Sequence, residues 1–218
     1  MGRHPQSRDL NRDTLARRRR VLGPDHPDTL YSAHNLAFDL RELGAVRAAR
    51  DLDRDTLERR RRVLGDDHPN TLASATTLAV DLRRLEDVQA ARDLDQDTLT
   101  RYRRVLGNDH PSTLGSANNL ASDLSALGDV QAARDLDQDT LTRRRRVLGN
   151  DHPHTLGSAN NLAVDLRALG DVQAARELDQ DTLTRRRRVL GNDHPSTLNS
   201  ANNLAADLRA LGETDDHS

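Results

Sequence analysis

One tripeptide sets the frame. Asp-His-Pro occurs at residues 25–27, 67–69, 109–111, 151–153 and 193–195, always 42 residues apart and with no insertion between copies. A fixed period of this length belongs to arrays of supersecondary units, each too small to bury its own apolar face, which form a continuous core by stacking on their neighbours. Five copies exceed the roughly three needed for a stable stack. The core has to be built from Leu, Ala and Val, because aromatics make up 1% of the chain, namely Tyr31, Phe38 and Tyr102.

Within one repeat, Leu114, Ala117, Leu120, Ala121, Leu124 and Leu127 follow Pro111 at the spacing of an amphipathic helix that ends before Gly128. This helix A is about 17 residues long. Pro111 suits its first turn, and Asp109 or Ser112 is the expected cap. A second stripe, Val130, Ala133, Leu136, Thr140, Leu141, Val147 and Leu148, predicts a helix B of about 19 residues running from an Asp129 cap to Gly149. Short glycine-containing connections make the two helices antiparallel. The expected fold is all-α, an α-solenoid of antiparallel helix hairpins with about ten helices.

The register places a single array over residues 8–212, between disordered tails at 1–7 and 213–218. The array opens inside a helix B, Arg8–Leu22, and closes after a helix A, Pro195–Leu211. Leu198, Leu204, Leu208 and Leu211 keep the core pattern in the last copy. An uncapped end is therefore expected to self-associate, to fray, or to have been joined to further sequence in a longer parent.

Composition excludes several functions. The formal net charge is −2, with 33 basic residues, all arginine, against 35 acidic ones. That balance argues against nucleic acid as a partner. No cysteine and no lysine are present, which removes thiol nucleophiles, zinc–thiolate sites, Schiff-base chemistry and the Walker A lysine. Residues Met1 to Asp9 lack the apolar core of a signal peptide, and no apolar run approaches the roughly 18 residues of a membrane span. The expectation is a cytoplasmic protein with no membrane attachment.

The repeats also differ from one another in a patterned way. In helix A, the positions of Leu114, Ser116, Ala117, Leu120, Ala121, Asp123, Leu124 and Leu127 never change among the five copies, whereas those of Gly115, Asn118, Ser122, Ser125 and Ala126 do. At 100° per residue the varying set occupies an arc of roughly 100° and the fixed set about 180° elsewhere. The varying arc carries Tyr31, His34, Phe38 and Arg41 in the first copy, and Thr76, Val80 and Arg83 in the second. It continues with Asn118, Ser122 and Ser125, then Asn160, Val164 and Arg167, then Asn202 and Arg209. Asn119, Asn161 and Asn203 lie at its edge and are expected to bond the adjacent helix.

Leu120-Ala121 placed before Leu124, Ala133 in helix B, and the closing Gly128 resemble the tetratricopeptide repeat. The match is to its 42-residue form, found in kinesin light chains and in bacterial arrays ending Leu-Gly-x-Asp-His-Pro. The resemblance covers residues 8–212 and implies a right-handed superhelix. Two positions depart from the family: Ala117 stands where Trp is frequent, and Asp137 replaces a bulky aromatic. Resemblance further implies that the varying arc lines a concave groove for an extended peptide or partner segment. Asn offers such a peptide both a donor and an acceptor, and Arg a partner for a carboxylate. Similar arrays also form the sensor half of larger STAND-type signalling NTPases.

The remaining motifs have bland readings. Four-residue arginine runs, Arg17–Arg20, Arg59–Arg62, Arg143–Arg146 and Arg185–Arg188, span most of a helix circumference and favour a solvated, salt-bridged face near the negative end of the helix dipole. One histidine per repeat places these rings too far apart to share a metal ion, and His152 with His154 alone make too small a set. Asp135, Asp137 and Asp139 alternate around helix B and form no acid–base pair. The reading is a non-enzymatic protein- or peptide-binding module with no cofactor and no metal; a self-assembling repeat array or a signalling sensor fragment is the alternative.

Overall fold

The computed structural model describes residues 3–212. They form ten helices: α1 (Arg3–Leu22), α2 (Pro27–Glu42), α3 (Val46–Leu64), α4 (Pro69–Arg84), α5 (Val88–Leu106), α6 (Pro111–Ala126), α7 (Val130–Leu148), α8 (Pro153–Ala168), α9 (Val172–Leu190) and α10 (Pro195–Ala210). Even-numbered helices are of the A type and odd-numbered ones of the B type. The chain falls into two compact units, Met1–Gly107 with α1–α5 and Asn108–Ser218 with α6–α10. Within each unit every helix packs on the next in sequence. Residues 1–2 and 213–218 of the expected tails lie outside the described residues. Residues 3–7 of the expected N-terminal tail are instead the first turns of α1, where the Ser7 hydroxyl donates to Asp39 at 2.9 Å.

Leucine and alanine supply the apolar core. In the first unit Leu57, Ala75, Leu78, Ala79, Leu82 and Ala91 form one buried cluster; in the second Leu141, Ala159 and Leu162 form another. Ala49, Ala91, Ala133 and Ala175, at the same place in successive B helices, are fully buried. A methyl group there lets neighbouring helices approach closely, which offsets the missing aromatics. Each buried leucine contributes roughly 1.5–3 kcal/mol.

The second arginine of each run departs from the solvated expectation. Arg144 Nη1 donates to the His154 carbonyl at 2.9 Å and to Ser158 Oγ at 2.7 Å, while Nη2 reaches the Leu114 carbonyl at 3.1 Å. Arg186 repeats the pattern on Ser196, Ser200 and Leu156, and Arg60 does so on Asn70 and Ser74. Helix B is thereby stapled to the next helix A through first-turn carbonyls and the fixed serine. Tyr102 occupies this position in α5 and is buried. The first and fourth arginines keep to the expectation: Arg143 and Arg146 both bind Asp109, as Arg185 and Arg188 bind Asp151.

That pairing explains a difference at the helix starts. Asp109 is turned toward its arginines, and the cap is histidine: His110 Nδ1 accepts from the Ser112 amide at 3.1 Å, and His26, His68, His152 and His194 do the same. With proline in the first turn lacking an N–H, the following amide is the one left for the ring to satisfy. In α5, α7 and α9 helix B keeps the expected aspartate cap, Asp129 accepting from the Ala132 amide, whereas α3 has Ala45 at that position and no side-chain cap.

Each helix A closes on a left-handed residue, Gly44, Gly128 and Gly170 at φ 80°, 87° and 85°. In α4 the same position is Glu86, at φ 64°. A side chain there costs roughly 1–2 kcal/mol, partly offset by the greater unfolded-state entropy of glycine. Glu86→Gly is expected to stabilise the protein by about 0.5–1 kcal/mol, read as a raised midpoint in urea. A lowered midpoint would show that Glu86 makes a compensating contact.

Candidate functional site

The varying arc of helix A divides sharply in the structure. Tyr31 and Phe38 are 58% and 49% exposed on α2, with half-buried His34 between them. Burial, reinforced by the Arg60 and Arg41 charges, pushes the His34 imidazole below its ordinary value, which favours its neutral form. Thr76 and Val80 on α4 are half-buried. In the second unit Ser122, Val164 and Asn202 are exposed, while Asn118 and Asn160 are half-buried and engaged between helices. Asn118 Oδ1 accepts from Ser158 at 3.0 Å, and Asn160 Oδ1 accepts from Asn203 Nδ2 at 2.8 Å. Asn203 thus bonds the adjacent helix as its edge position suggested.

The arginines of the arc are placed differently from the expectation that they meet a ligand's carboxylate. Arg41 is buried at 7% exposure and forks between Asp81 on the next helix A (Nε–Oδ1 2.5 Å) and Asp53 on its own hairpin's helix B (Nη2–Oδ2 2.6 Å). Arg167 repeats this between Asp207 and Asp179, the latter at 2.9 Å. Arg83 binds Asp95 at 2.7 Å. Arg209, exposed, turns back to the Ala205 carbonyl. The reason lies in the aspartates: each sits on the fixed side of its helix, 12 or 40 residues beyond the arginine, and is almost fully buried. Ionised carboxylates in such a place require a cation. Asp53, Asp81, Asp179 and Asp207 were not singled out from sequence as functional; the usable signal was an unvarying aspartate in an apolar stripe.

The third copy lacks its arginine. Ser125 occupies the position and donates to Asp165 Oδ1 at 3.0 Å. Asp137, 2% exposed, makes no hydrogen bond or ion pair among the described residues. Burial first, and the neighbouring Asp165 charge second, push its carboxyl to about 7 against a pull from Arg144. A cavity of about 250 Å³ opens here, lined by Ser122, Ser125, Asp137, Asn161, Val164 and Asp165 among others.

Because the folded-state value of Asp137 lies above its unfolded one, the folded form holds the proton more tightly. Stability from this group is complete below about pH 3.8 and falls as the pH rises toward 7. The penalty at full ionisation is on the order of 4 kcal/mol. Asp137→Asn is accordingly expected to melt above the wild type at pH 7.5, with the gap shrinking toward zero at pH 4. Thermal midpoints of the two proteins across that range test this, and a gap independent of pH would refute the assignment.

Among the described residues no three His, Asp or Glu side chains converge as metal ligands, and no helix is long and apolar enough to cross a membrane. Two tetratricopeptide-repeat family models match, one at residues 113–154 and 155–196, the other at 1–61 and 31–104. No curated protein matches. Among solved structures, the nearly identical TPR-like repeats of a Podosopora anserina kinesin light chain are 32% identical, both as a single-substitution variant (TM-score 0.79) and without that change (TM-score 0.77). In both cases the match covers 88% of this chain and 90% of the other. BtubC (BKLC) from P. vanneervenii, 20% identical over 98% of this chain and 86% of its own, shares the fold at a TM-score of 0.82. With the 42-residue hairpins, the closing glycines and these matches together, the chain belongs to the tetratricopeptide repeat family, in its kinesin-light-chain-like form.

Proposed function

We propose that this protein is a non-enzymatic, cytoplasmic interaction module that holds an extended peptide or partner segment against its helix-A faces, with Tyr31, His34 and Phe38 as the main contact of the first unit. The family supports a protein-interaction or scaffold role. The observation that carries the finer reading is where the aromatics lie. Of the three in the chain, Tyr102 is buried, and the other two are exposed on one face of α2, about two turns apart. Exposed aromatics present a large, rigid surface whose burial costs little side-chain entropy, and such residues dominate interface energetics. In the second unit Ser122, Val164 and Asn202 offer a smaller, more polar surface of the same arc.

Self-association is a second reading, favoured by one feature of α10. Leu198 is 53% exposed, whereas Leu114 and Leu156 at the same repeat position are 2% and 3% exposed. A mass that climbs with concentration and returns to the monomer value in Leu198→Gln supports it. The sensor-fragment reading has no feature of its own in the structure.

Panning a peptide display library against the intact chain tests the interaction reading. Peptides selected on the wild type are expected to bind a Tyr31→Ala/Phe38→Ala variant about thirtyfold more weakly, equivalent to a loss of about 2 kcal/mol. The helical circular dichroism of the variant should be unchanged, since neither ring is in the core. Equal affinity for the two proteins overturns the assignment of this face.

A further inference from the structure

The geometry points to a guanidinium-binding site at the gap left by Ser125, among α6, α7 and α8, which takes an arginine side chain of a partner polypeptide or a small free guanidinium compound. The inference rests on the interaction reading only for the source of that guanidinium.

The repeat supplies its own controls. At this place the other copies carry Arg41, Arg83, Arg167 and Arg209. For Arg41 and Arg167, each followed by a further hairpin helix, the guanidinium forks between an aspartate 40 residues on and another 12 residues on. Ser125 removes the fork but both carboxylates stay, Asp165 and Asp137, at 3% and 2% exposure. The serine hydroxyl satisfies one oxygen of Asp165; Asp165 Oδ2 and Asp137 Oδ1 have no partner. Single oxygens of Asp179 and Asp207 are also unpartnered, but each of those carboxylates meets Arg167 through its other oxygen. Asp137 has no such second contact.

The first hairpin shows how the chain closes such a position without arginine. In α1 the residue equivalent to Asp137 is Asn11, whose amide donates to Asp39 at 2.7 Å, beside a second donor from Ser7. Both donors are neutral and the single carboxylate is satisfied. At Ser125 no such substitution has been made, so two acidic groups face one cavity with a charge unbalanced. Arg144 is the cation whose charge acts on Asp137, yet its Nη1 and Nη2 are committed to the His154 and Leu114 carbonyls and Ser158.

The shape of the cavity selects the ligand. About 250 Å³ opens where a three-carbon stem and planar head sit in the neighbouring copies. A guanidinium is flat, always charged, and donates in a fork that matches two carboxylates at once. An ammonium group offers a compact charge with no such fork. A hard divalent cation needs six or more oxygens, and no third acidic or histidine side chain converges here among the described residues. Ser122, Val164 and Asn161 at the cavity wall belong to or border the helix-A face proposed above as the contact surface, so an arginine of a bound segment has a direct approach.

Titration of the 15N-labelled full chain with methylguanidinium chloride, with methylurea as the neutral counterpart, tests the site. Saturable shifts centred on Ser125 and Asn161 are expected from methylguanidinium and not from methylurea. Ser125→Arg is expected to abolish those shifts and to raise the melting temperature, by restoring the fork in cis. Asp137→Asn is expected to abolish them while leaving the fold intact, and carries the test should Ser125→Arg fail to fold. A Gly-Gly-Arg-Gly-Gly peptide binding about tenfold more tightly than methylguanidinium assigns the site to a partner's arginine; equal affinity assigns it to a free guanidinium compound. No saturable binding, equal binding of methylurea, or undiminished binding by Asp137→Asn overturns the proposal. Any of these leaves the Tyr31 and Phe38 comparison standing as an independent test of the contact face.

Discussion

A buried carboxylate without a cation is among the more costly features a protein interior can hold, and the architecture of this chain is arranged around avoiding it. The aspartates fixed in every helix A and in helices α3, α5, α7 and α9 lie inside the stack, where an apolar side chain would ordinarily stand. An arginine from the preceding helix A threads between them, as Arg41 does between Asp53 and Asp81. Removing one partner of such a buried set generally costs about 3–5 kcal/mol, because the survivors are stranded. The clamp therefore fixes the register of one hairpin on the next more sharply than a layer of small alanines and leucines can.

A second set of arginines performs the same service at the edge. In α3, α7 and α9 one arginine of the run is buried against first-turn carbonyls and the fixed serine, while two others hold the loop aspartate of the Asp-His-Pro turn. Those loop aspartates, such as Asp109, are held below the usual carboxylate range by their hydrogen bonds to arginine. Exposed pairs of this kind contribute little individually, but they leave the histidine ring free to cap the helix. The tripeptide thus divides its labour: aspartate binds the neighbouring helix B, histidine satisfies an amide, and proline begins the turn.

The period, the two helices of each repeat and their lengths were legible from residue spacing, because stacking imposes the same apolar positions on every copy; the family was legible only through the resemblance of its motifs. The varying arc was legible too, but its contents were not. Arg41 and Ser125 share a column when the repeats are aligned and differ wholly in consequence: one is locked in the interior, the other leaves a cavity with two acidic neighbours. Variation among copies marks positions released from the common core; it does not distinguish an exposed ring such as Phe38 from a buried clamp such as Arg41. Likewise an unbroken arginine run gave no sign that its second member turns inward.

The sequence by itself determined the hairpin and its repetition, because these follow from local periodicity, turn residues and the pairing of short connections. Only the tertiary structure decided which charges are interior. That outcome depends on contacts 12, 30 and 40 residues apart, where a carboxylate or carbonyl on one helix and a guanidinium on another meet out of water. No local pattern records whether the partner has arrived. At Ser125 it has not, and the cavity beside Asp137 is the physical trace of that missing side chain.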